Sequence, residues 1–241
     1  MIQLIPAIDL IDGRCVRLSQ GDYDTKKEYG DPVEMALRME DMGVRRLHLV
    51  DLDGAKSRHV VNDRVLRDIC RRTSLPVDFG GGIKTEDDLE KVFDAGAAMA
   101  TAGSIAVTDP ESVGLWIERY GAERIVLGAD VRDGKISING WKEDSALELM
   151  PFLEGYRKQG LQHVLCTDIS KDGMLQGPNT ALYKSIMAQW PDCRLIASGG
   201  VSSKEDIRAL DEAGIPAVVF GKAIYEGRID LASLIKEYQA C

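Results

Sequence analysis

Short apolar runs alternate with longer amphipathic segments along most of the chain. The apolar runs show little polar alternation, which is typical of parallel strands covered on both faces. Eight such runs predict strands: residues 3–9, 46–51, 76–79, 98–102, 124–130, 163–168, 194–198 and 217–220. Between them, apolar residues recur three or four positions apart, which is the helical period. This period is clearest in residues 32–43, 85–96, 109–121 and 203–214.

Eight strand–helix units predict a (β/α)8 barrel (TIM barrel) of the α/β class. A doubly wound open sheet is built from the same units, but an internal repeat favours the closed barrel. Residues 80–106 align without a gap on residues 198–224, at an offset of 118 positions. Residues 6–14 align on residues 127–135, at an offset of 121. Offsets near half the chain length indicate two duplicated half-barrels of four units each.

The repeat also predicts the domain organisation. Because no stretch has the composition of an interdomain linker, we expect one barrel domain over residues 1–241, with half-barrels of about 1–121 and 122–241. Two polar segments rich in Gly and Asp, residues 20–31 and 132–145, follow the first strand of each half. We expect them to be loops that close over a substrate.

Composition narrows the functional class. The chain is 44% hydrophobic and 29% charged, and its net charge of −9 comes without a Lys or Arg cluster, so a nucleic-acid partner is not expected. No stretch approaches the roughly 20 apolar residues of a membrane helix, and no signal peptide is evident. Five scattered cysteines without CxxC pairs fit reduced thiols. We expect a cytoplasmic protein that acts on a small molecule, with no membrane and no obligate protein partner.

Two aspartates occupy equivalent places in the two halves. In a (β/α)8 barrel the working groups lie at the C-terminal ends of the strands, where Asp9, Asp51, Asp130 and Asp168 end apolar runs. An isolated Asp at such a place is commonly a helix N-cap or turn residue. Asp9 and Asp130 differ, because the duplication predicts that they face one cavity from opposite sides. Two opposed carboxylates predict an acid/base pair, one protonated and one ionised.

Glycine-rich turns are duplicated as well, after the third and fourth strands and again after the seventh and eighth. Glycine lets backbone N–H groups approach an anion closely, and the start of a helix favours negative charge. The pattern predicts two phosphate sites at opposite ends of one elongated ligand. The candidate residues are Gly81, Gly82, Gly103, Ser104, Gly199, Gly200, Gly221 and Lys222, the last of which reaches either a phosphate or only solvent.

Four further residues complete the candidate site. Thr167 either hydrogen-bonds a reacting group or caps a turn, and Asp172 with Gly173 forms either a ligand contact or an Asp-Gly turn. Trp141 either stacks on a flat ring or anchors its loop. The strand histidines, His48 among them, are expected to be packed rather than catalytic. No cluster has metal-ligand spacing and no Ser–His pair is evident, so an acid/base reaction without metal or cofactor is expected.

Five motifs resemble the phosphoribosyl (ProFAR) isomerases of histidine biosynthesis: IPAIDLIDGRCVRLSQGDY, HLVDLDGA, GGGIKTEDD, CTDISKDGMLQGPN and ASGGVSS. The likeness extends to about Gly227. It implies an Amadori rearrangement of an N-linked phosphoribosyl aminoaldose to an aminoketose, on a substrate with a phosphate at each end. It also implies that Asp130 is the general acid at the ring oxygen and Asp9 the general base at C2. Thr167 would be a further catalytic residue and Asp172 a binding or supporting residue.

Individual residues distinguish this chain from the related proteins that it could otherwise be. The cyclase that shares the duplication typically carries Cys where this chain has Ala7. A bifunctional isomerase that also acts on phosphoribosylanthranilate tends to carry Ser-Gly-Gly at positions 80–82 and an Arg ahead of the Gly-Trp loop. This chain has Gly-Gly-Gly and Ile-Asn there, which favours a single substrate. A non-catalytic barrel that binds a bis-phosphate would not need both candidate aspartates. The chain departs from the family at Asp78, where Gln or Glu is frequent.

Overall fold

The structure is a computed structural model that describes residues 1–19, 21–141 and 143–239. The described residues form twelve strands: β1 Gln3–Ile11, β2 Arg14–Ser19, β3 Asp22–Gly30, β4 Leu47–Asp51, β5 Val77–Gly80, β6 Met99–Ala102, β7 Ile125–Arg132, β8 Lys135–Ile138, β9 Glu143–Glu148, β10 His163–Asp168, β11 Arg194–Ser198 and β12 Ala217–Phe220. They also form eleven helices: α1 Pro32–Asp41, α2 Leu52–Ser57, α3 Asp63–Arg72, α4 Glu86–Asp94, α5 Ile105–Thr108, α6 Pro110–Tyr120, α7 Leu149–Arg157, α8 Thr180–Gln189, α9 Lys204–Glu212, α10 Lys222–Tyr225 and α11 Leu231–Gln239.

Eight of these strands close into a parallel barrel. The ring runs β1, β4, β5, β6, β7, β10, β11 and β12, and each strand pairs in parallel with the next. The pairing of β12 with β1 closes it, with Gln3 opposite Ala217. All eight predicted strands are present, and the predicted (β/α)8 barrel is confirmed. The sheet therefore brings the C-terminal ends of all eight strands to one mouth.

Two hydrophobic layers hold the barrel together. Inside it, a cluster of strand side chains fills the lower part of the lumen: Ile5, Ala7, Val126, Leu165, Ile196, Ala217 and Val219. Outside, a larger cluster packs the apolar stripes of the helices against the strands. A parallel strand in this arrangement is buried on both faces, which explains why the strand sequences are almost continuously apolar.

The duplication extends to the helix caps. Thr85 and Ser203, 118 positions apart, begin α4 and α9 with the same capping box. In each box the hydroxyl accepts from the backbone N–H three residues later, and the carboxylate there, Asp88 or Asp206, accepts from the cap residue. Such a cap contributes about 1 kcal/mol to helix stability. Equivalent residues thus begin equivalent helices in the two half-barrels.

The expectation that residues 20–31 and 132–145 are loops is wrong for most of their length. β2 and β3 form an antiparallel pair that extends from β1, and β8 and β9 form a second pair that extends from β7. Both pairs begin at an Asp-Gly turn, 12–13 and 133–134, in which both residues have positive φ, as two-residue hairpin turns require. Gln20 and Lys142 lie outside the described residues.

No helix in the described part of the chain combines the length and the apolar character needed to cross a membrane. Four of the five cysteines lie in the described ranges, and all four are free thiols: Cys15, Cys70, Cys166 and Cys193.

Candidate active site

Asp9 and Asp130 line one cavity at the mouth of the barrel. Asp9 lies near the end of β1 and Asp130 near the end of β7, at equivalent positions of the two halves. The cavity has a volume of about 280 Å³, and all eight barrel strands contribute to its lining. The parallel closure of the sheet therefore brings both carboxylates to one space.

All the candidate residues named from the sequence line this same cavity. They are Asp9, Gly81, Gly82, Gly103, Ser104, Asp130, Trp141, Thr167, Asp172, Gly173, Gly199, Gly200, Gly221 and Lys222. The structure thus brings them together, while their individual roles stay predictions.

Asp9 is paired with a buried arginine. Arg17, on β2, donates from Nη1 to Asp9 Oδ2 at 2.6 Å, and the two side chains are only 11% and 15% exposed. Its other terminal nitrogen donates to the carbonyl of Ala7, and its guanidinium lies 4.9 Å from the centre of the Tyr225 ring. Although burial lowers the pKa of Arg17, the neighbouring Asp9 carboxylate raises it above its ordinary value. Asp9 is therefore a carboxyl paired with a buried cation.

Asp130 has different surroundings. Its Oδ2 accepts a hydrogen bond from the indole N–H of Trp141 at 2.8 Å, and Thr167 lies opposite it in the pairing of β7 with β10. Burial raises the pKa of Asp130 above its usual value, and the hydrogen bonds from Trp141 and Thr167 only partly oppose this shift. Both of these hydrogen-bond donors are neutral, and although the neighbouring His48 also opposes the shift, burial still favours the protonated form relative to an exposed carboxyl.

Asp172 is a third carboxyl in the cavity. Burial and the charge of Asp9 raise its pKa, Arg17 opposes the shift, and the resulting pKa is about 6. Beside it, Lys222 donates to the hydroxyl of Ser19 at 2.6 Å and to the carbonyl of Gly173 at 2.7 Å. Lys222 thus ties the β2–β3 hairpin to the loop after β10 and does not simply extend into solvent.

The glycine turns are built for close backbone approach. Gly81, Gly82, Gly199 and Gly200 all have φ between +83° and +100°. A Cβ at Gly199 would lie 2.8 Å from the carbonyl oxygen of Asp168, and side chains on the other three would collide with neighbouring backbone in the same way. A side chain is therefore excluded at each turn, and the backbone itself forms the wall of the cavity.

The later turn of each set, after the fourth and the eighth barrel strand, begins a short helix. Ser104 is the N-cap residue of α5, and Gly221 is the N-cap residue of α10. The first backbone N–H groups of a helix have no partner within it, so each turn presents donors at the cavity edge. Ser104 also accepts a hydrogen bond at Oγ from the backbone N–H of Asn139, at 3.0 Å.

Asp51 and Asp168, the other two strand-ending aspartates, brace loops. Asp51 accepts from the backbone N–H groups of Gly54, Val61 and Asn62. The amide of Asn62 donates to Asp51 at 2.6 Å, and the amide of Asn179 donates to Asp168 at the same distance. For these two residues the structure supports the turn role over a catalytic one.

A model of the family described as "Histidine biosynthesis protein" matches residues 3–230. The chain belongs to this family. Relatives named 1-(5-phosphoribosyl)-5-((5-phosphoribosylamino)methylideneamino)imidazole-4-carboxamide isomerase are 61% identical over 235 residues in Bacteroides thetaiotaomicron and in Phocaeicola vulgatus, covering 97% of this chain and 98% of each relative. A relative of the same name in Flavobacterium johnsoniae is 52% identical over 234 residues, with the same coverage.

Sequence reasoning missed two features of this family member. The first is Arg17, whose signal was a charged residue between the buried apolar residues Val16 and Leu18 of β2. The second is a buried polar cluster in the barrel floor, in which Asp78 accepts from Arg46 at 2.9 Å and from Thr101 at 2.7 Å and lies 3.3 Å from His48. Its signal was an aspartate inside a four-residue strand that is otherwise buried and apolar.

Proposed function

We propose that this chain is the aldose–ketose isomerase of histidine biosynthesis that converts the N-linked phosphoribosyl aminoaldose ProFAR to its aminoketose by general acid/base catalysis. The observation that carries the proposal is the cavity with two carboxyls in opposite surroundings, Asp9 beside a cation and Asp130 beside neutral donors. The printed name of the relatives, at 61% identity over nearly the whole chain, supports it.

The acid step is assigned to Asp130. A raised pKa keeps the proton available for the ring oxygen of the sugar. As that oxygen takes the proton, the bond from C1 to the ring oxygen breaks, and the nitrogen lone pair forms the C1=N bond of a Schiff base. Trp141 and Thr167 hold the orientation of the carboxyl during this step.

The base step is assigned to Asp9. The guanidinium of Arg17 lies 2.6 Å from this carboxyl, and a cation in contact favours the carboxylate form that a base requires. Asp9 removes the proton from C2, the electron pair of that bond forms C1=C2, and the C=N electrons return to nitrogen. Protonation at C1 and loss of the proton from the C2 hydroxyl then give the aminoketose. Proton transfers therefore account for the whole rearrangement, and no cofactor or metal is needed to balance it.

The two phosphates of the substrate are assigned to the duplicated glycine turns. One would bind at Gly81, Gly82, Gly103 and Ser104, and the other at Gly199, Gly200, Gly221 and Lys222. Neutral backbone donors and helix starts bind phosphate without a basic patch, which agrees with the net charge of −9. Phosphate binding after the seventh and eighth strands is common in this fold, and the duplication supplies its counterpart.

Asp172 is proposed to support the acid/base pair. With a pKa of about 6 it carries a proton for part of the time at neutral pH, so it can donate a hydrogen bond to the ligand beside Asp9.

We further propose that residues 1–241 form one domain, because β6 pairs with β7 and β12 with β1 across the boundaries of the half-barrels. A cytoplasmic location is proposed from the biosynthetic role.

Turnover of ProFAR by the purified protein, followed through a coupled cyclase, tests the function. We expect the wild type to be active and Asp9→Asn and Asp130→Asn each to lose about 10²- to 10⁴-fold in kcat, the usual contribution of a general acid or base. Asp87→Asn is the matched control, since Asp87 is exposed on α4, away from the cavity, and it should keep full activity.

Binding of the aminoketose distinguishes an inactive enzyme variant from a barrel that only binds its ligand. Both cavity variants should still bind the aminoketose, because the proposed phosphate sites are intact in them. A wild type that binds the bis-phosphate but does not turn ProFAR over would overturn the proposal in favour of a non-catalytic barrel. Turnover of phosphoribosylanthranilate at a comparable rate would replace the single-substrate reading with the bifunctional one.

A further inference from the structure

The two hairpins at the barrel mouth pair in the same register. Leu10 pairs with Cys15 in the first hairpin, and Val131 pairs with Ile136 in the second, so each partner recurs 121 positions later. The same offset relates the two candidate aspartates. Residues 121 positions apart therefore occupy equivalent places in the two hairpins.

One of these equivalent places carries a cation in the first hairpin only. Arg17 donates from Nη1 to Asp9 at 2.6 Å. Its equivalent is Ile138, which packs against the outer hydrophobic cluster and has no polar side-chain atom to offer Asp130. A cation in contact favours the carboxylate form that a base requires. The first hairpin thus supplies its aspartate with a group that the second hairpin lacks.

The guanidinium of Arg17 is buried with few polar partners. Apart from Asp9, it donates from its other terminal nitrogen to the carbonyl of Ala7, while its Nε is buried and has no hydrogen-bond partner among the described residues. A second carboxyl, Asp172, is close enough to Arg17 for their charges to interact. Because an arginine side chain has considerable rotamer freedom, a further contact is needed to hold it against Asp9.

Tyr225 on α10 supplies that contact. The guanidinium of Arg17 lies 4.9 Å from the centre of its ring, within the range of a cation–π interaction. The Tyr225 hydroxyl donates to the carbonyl of Ala7 at 3.0 Å and accepts from Sγ of Cys15 at 3.5 Å. The ring also packs on that of Tyr29, with the two centroids 4.8 Å apart. Tyr225 is therefore fixed at its hydroxyl and at its ring.

The second half lacks this support as well. At the offset of 118 that relates the glycine turns, Tyr225 corresponds to Val107 on α5, which has neither an aromatic face nor a hydroxyl. Resting on the proposed function, we propose that Tyr225 is a positioning residue for the proposed base, because it holds the guanidinium of Arg17 against Asp9. Tyr225 is not among the described residues that line the cavity, so it acts through Arg17 and not on the ligand.

The charge beside Asp9 depends on where this guanidinium lies. The titratable groups around Asp9 and Arg17 come from β2, β3, α10 and the loop after β10: Cys15, Tyr23, Lys222, Tyr225 and Asp172. Burial raises the pKa of the thiol and of both phenols, so these three groups are uncharged at neutral pH. Among the described residues, Arg17 is the one cation at hydrogen-bond distance from Asp9.

Two reactions of the purified protein test this role: turnover of ProFAR, and exchange of the C1 hydrogens of the aminoketose in D2O, which involves the base but no ring opening. Tyr225→Val installs the residue of the first half. We expect kcat and the exchange rate both to fall by roughly 10- to 30-fold, the effect of losing a desolvated cation–π contact, with KM unchanged. Tyr225→Phe keeps the aromatic face and should retain most of both activities.

Tyr120→Val is the matched control. The ring of Tyr120, on α6, lies 5.1 Å from the guanidinium of Arg119, and its hydroxyl donates to Glu86 at 2.8 Å. Neither Tyr120 nor Arg119 is among the described residues that line the cavity, so kcat and exchange should not change. If Tyr225→Val does not fold, Tyr225→Leu keeps more apolar volume but no aromatic face, and it should show the same losses.

An Arg17→Met background tests the route of the effect. Because the two side chains form one interaction, adding Tyr225→Val to Arg17→Met should change the exchange rate little further. Losses that multiply in the double variant would overturn the inference. So would wild-type kcat and exchange in a folded Tyr225→Val or Tyr225→Leu, or a Tyr225→Phe that is as impaired as they are.

Failure of the proposed function itself has a different signature, because the wild type would then neither turn ProFAR over nor catalyse the exchange.

Discussion

The three aspartates of the cavity differ in their chemistry because their immediate neighbours differ. Asp9 lies against the guanidinium of Arg17, Asp130 against the indole N–H of Trp141, and Asp172 is buried beside the charge of Asp9. A cation favours the ionised form of a carboxyl, whereas burial and a second negative charge favour the protonated form. The proposed division into base, acid and supporting carboxyl is therefore a consequence of local electrostatics.

The raised pKa of Asp172 predicts a pH-dependent stability. Because the folded state disfavours its ionised form, a destabilising contribution should appear as pH rises above about 4 and be complete above the folded pKa of about 6. Asp172→Asn removes that contribution. We expect the variant to be more stable than the wild type at pH 8, by about 1 to 3 kcal/mol, and this gain to shrink toward pH 4.

Thermal unfolding of both proteins across this pH range measures the effect. Asp87→Asn, at an exposed position of α4, controls for the loss of one negative charge from the molecule. A gain in Asp172→Asn that is equal at pH 4 and pH 8 would show that ionisation of Asp172 does not oppose folding.

At the residue scale, the sequence predicted the acid/base candidates because duplication singled out Asp9 and Asp130. It could not predict Arg17, because that contact depends on how β2 folds back along β1. Nor could it predict the contact of His48 with Asp78, since Asp78 comes from a neighbouring strand 30 residues later. Contacts between side chains on neighbouring strands are difficult to predict from one sequence, because the partners lie far apart along it.

At the scale of elements, two matched braces shape the loops beside the site. The carboxylate of Asp51 and the amide of Asn62 form one, and Asp168 with Asn179 forms the other, 117 positions later. Each brace fixes the segment that the neighbouring glycine turn packs against, since Gly81 lies against Asp51 and Gly199 against Asp168. The loops around the proposed phosphate sites are therefore set by buried polar contacts.

Removing either amide should destabilise the fold to a similar degree. Asn62→Ala and Asn179→Ala each leave a buried carboxylate, Asp51 or Asp168, without one of its partners, so we expect the free energy of unfolding to fall by about 1 to 3 kcal/mol in each case. Urea unfolding gives the measurement. Gln159→Ala, which alters an exposed amide, should change it by no more than about 0.5 kcal/mol.

The brace interpretation would be contradicted if both asparagine variants unfolded like Gln159→Ala. If the free energy of unfolding fell in only one of the two variants, the two braces would not contribute equally to stability, although the halves are alike in sequence.

The elements themselves were predicted well where apolar patterning is strong. Strands β10, β11 and β12 begin and end where the apolar runs do. The first hairpin was missed because β3 has mostly exposed residues and no buried face to produce alternation, and the second because β8 is only four residues long. The Asp-Gly pairs at 12–13 and 133–134 were the available signal, as such pairs favour two-residue hairpin turns. Closure of these segments over a ligand stays a prediction.

At the scale of the whole molecule, the barrel combines a repeated frame with a floor that is not repeated. The caps, braces and glycine turns recur at offsets of 117 or 118, and they hold equivalent loops around one cavity. The floor carries His48 and Asp78 in one half and Leu165 and Ile196 in the other. The two-fold frame agrees with the proposed ligand, which carries a phosphate at each end.

Exchange of the C1 hydrogens of the aminoketose product with solvent deuterium separates the proposed base from the proposed acid most directly. The product is already open-chain, so this exchange needs no acid at the ring oxygen. Because C1 and C2 are adjacent, the carboxylate that serves C2 also reaches C1. We expect the wild type and Asp130→Asn to catalyse the exchange, followed by NMR in D2O. Asp9→Asn should be at least about 100-fold slower. Exchange that persists in Asp9→Asn, or is lost in a folded Asp130→Asn that still binds product, would contradict the assignment.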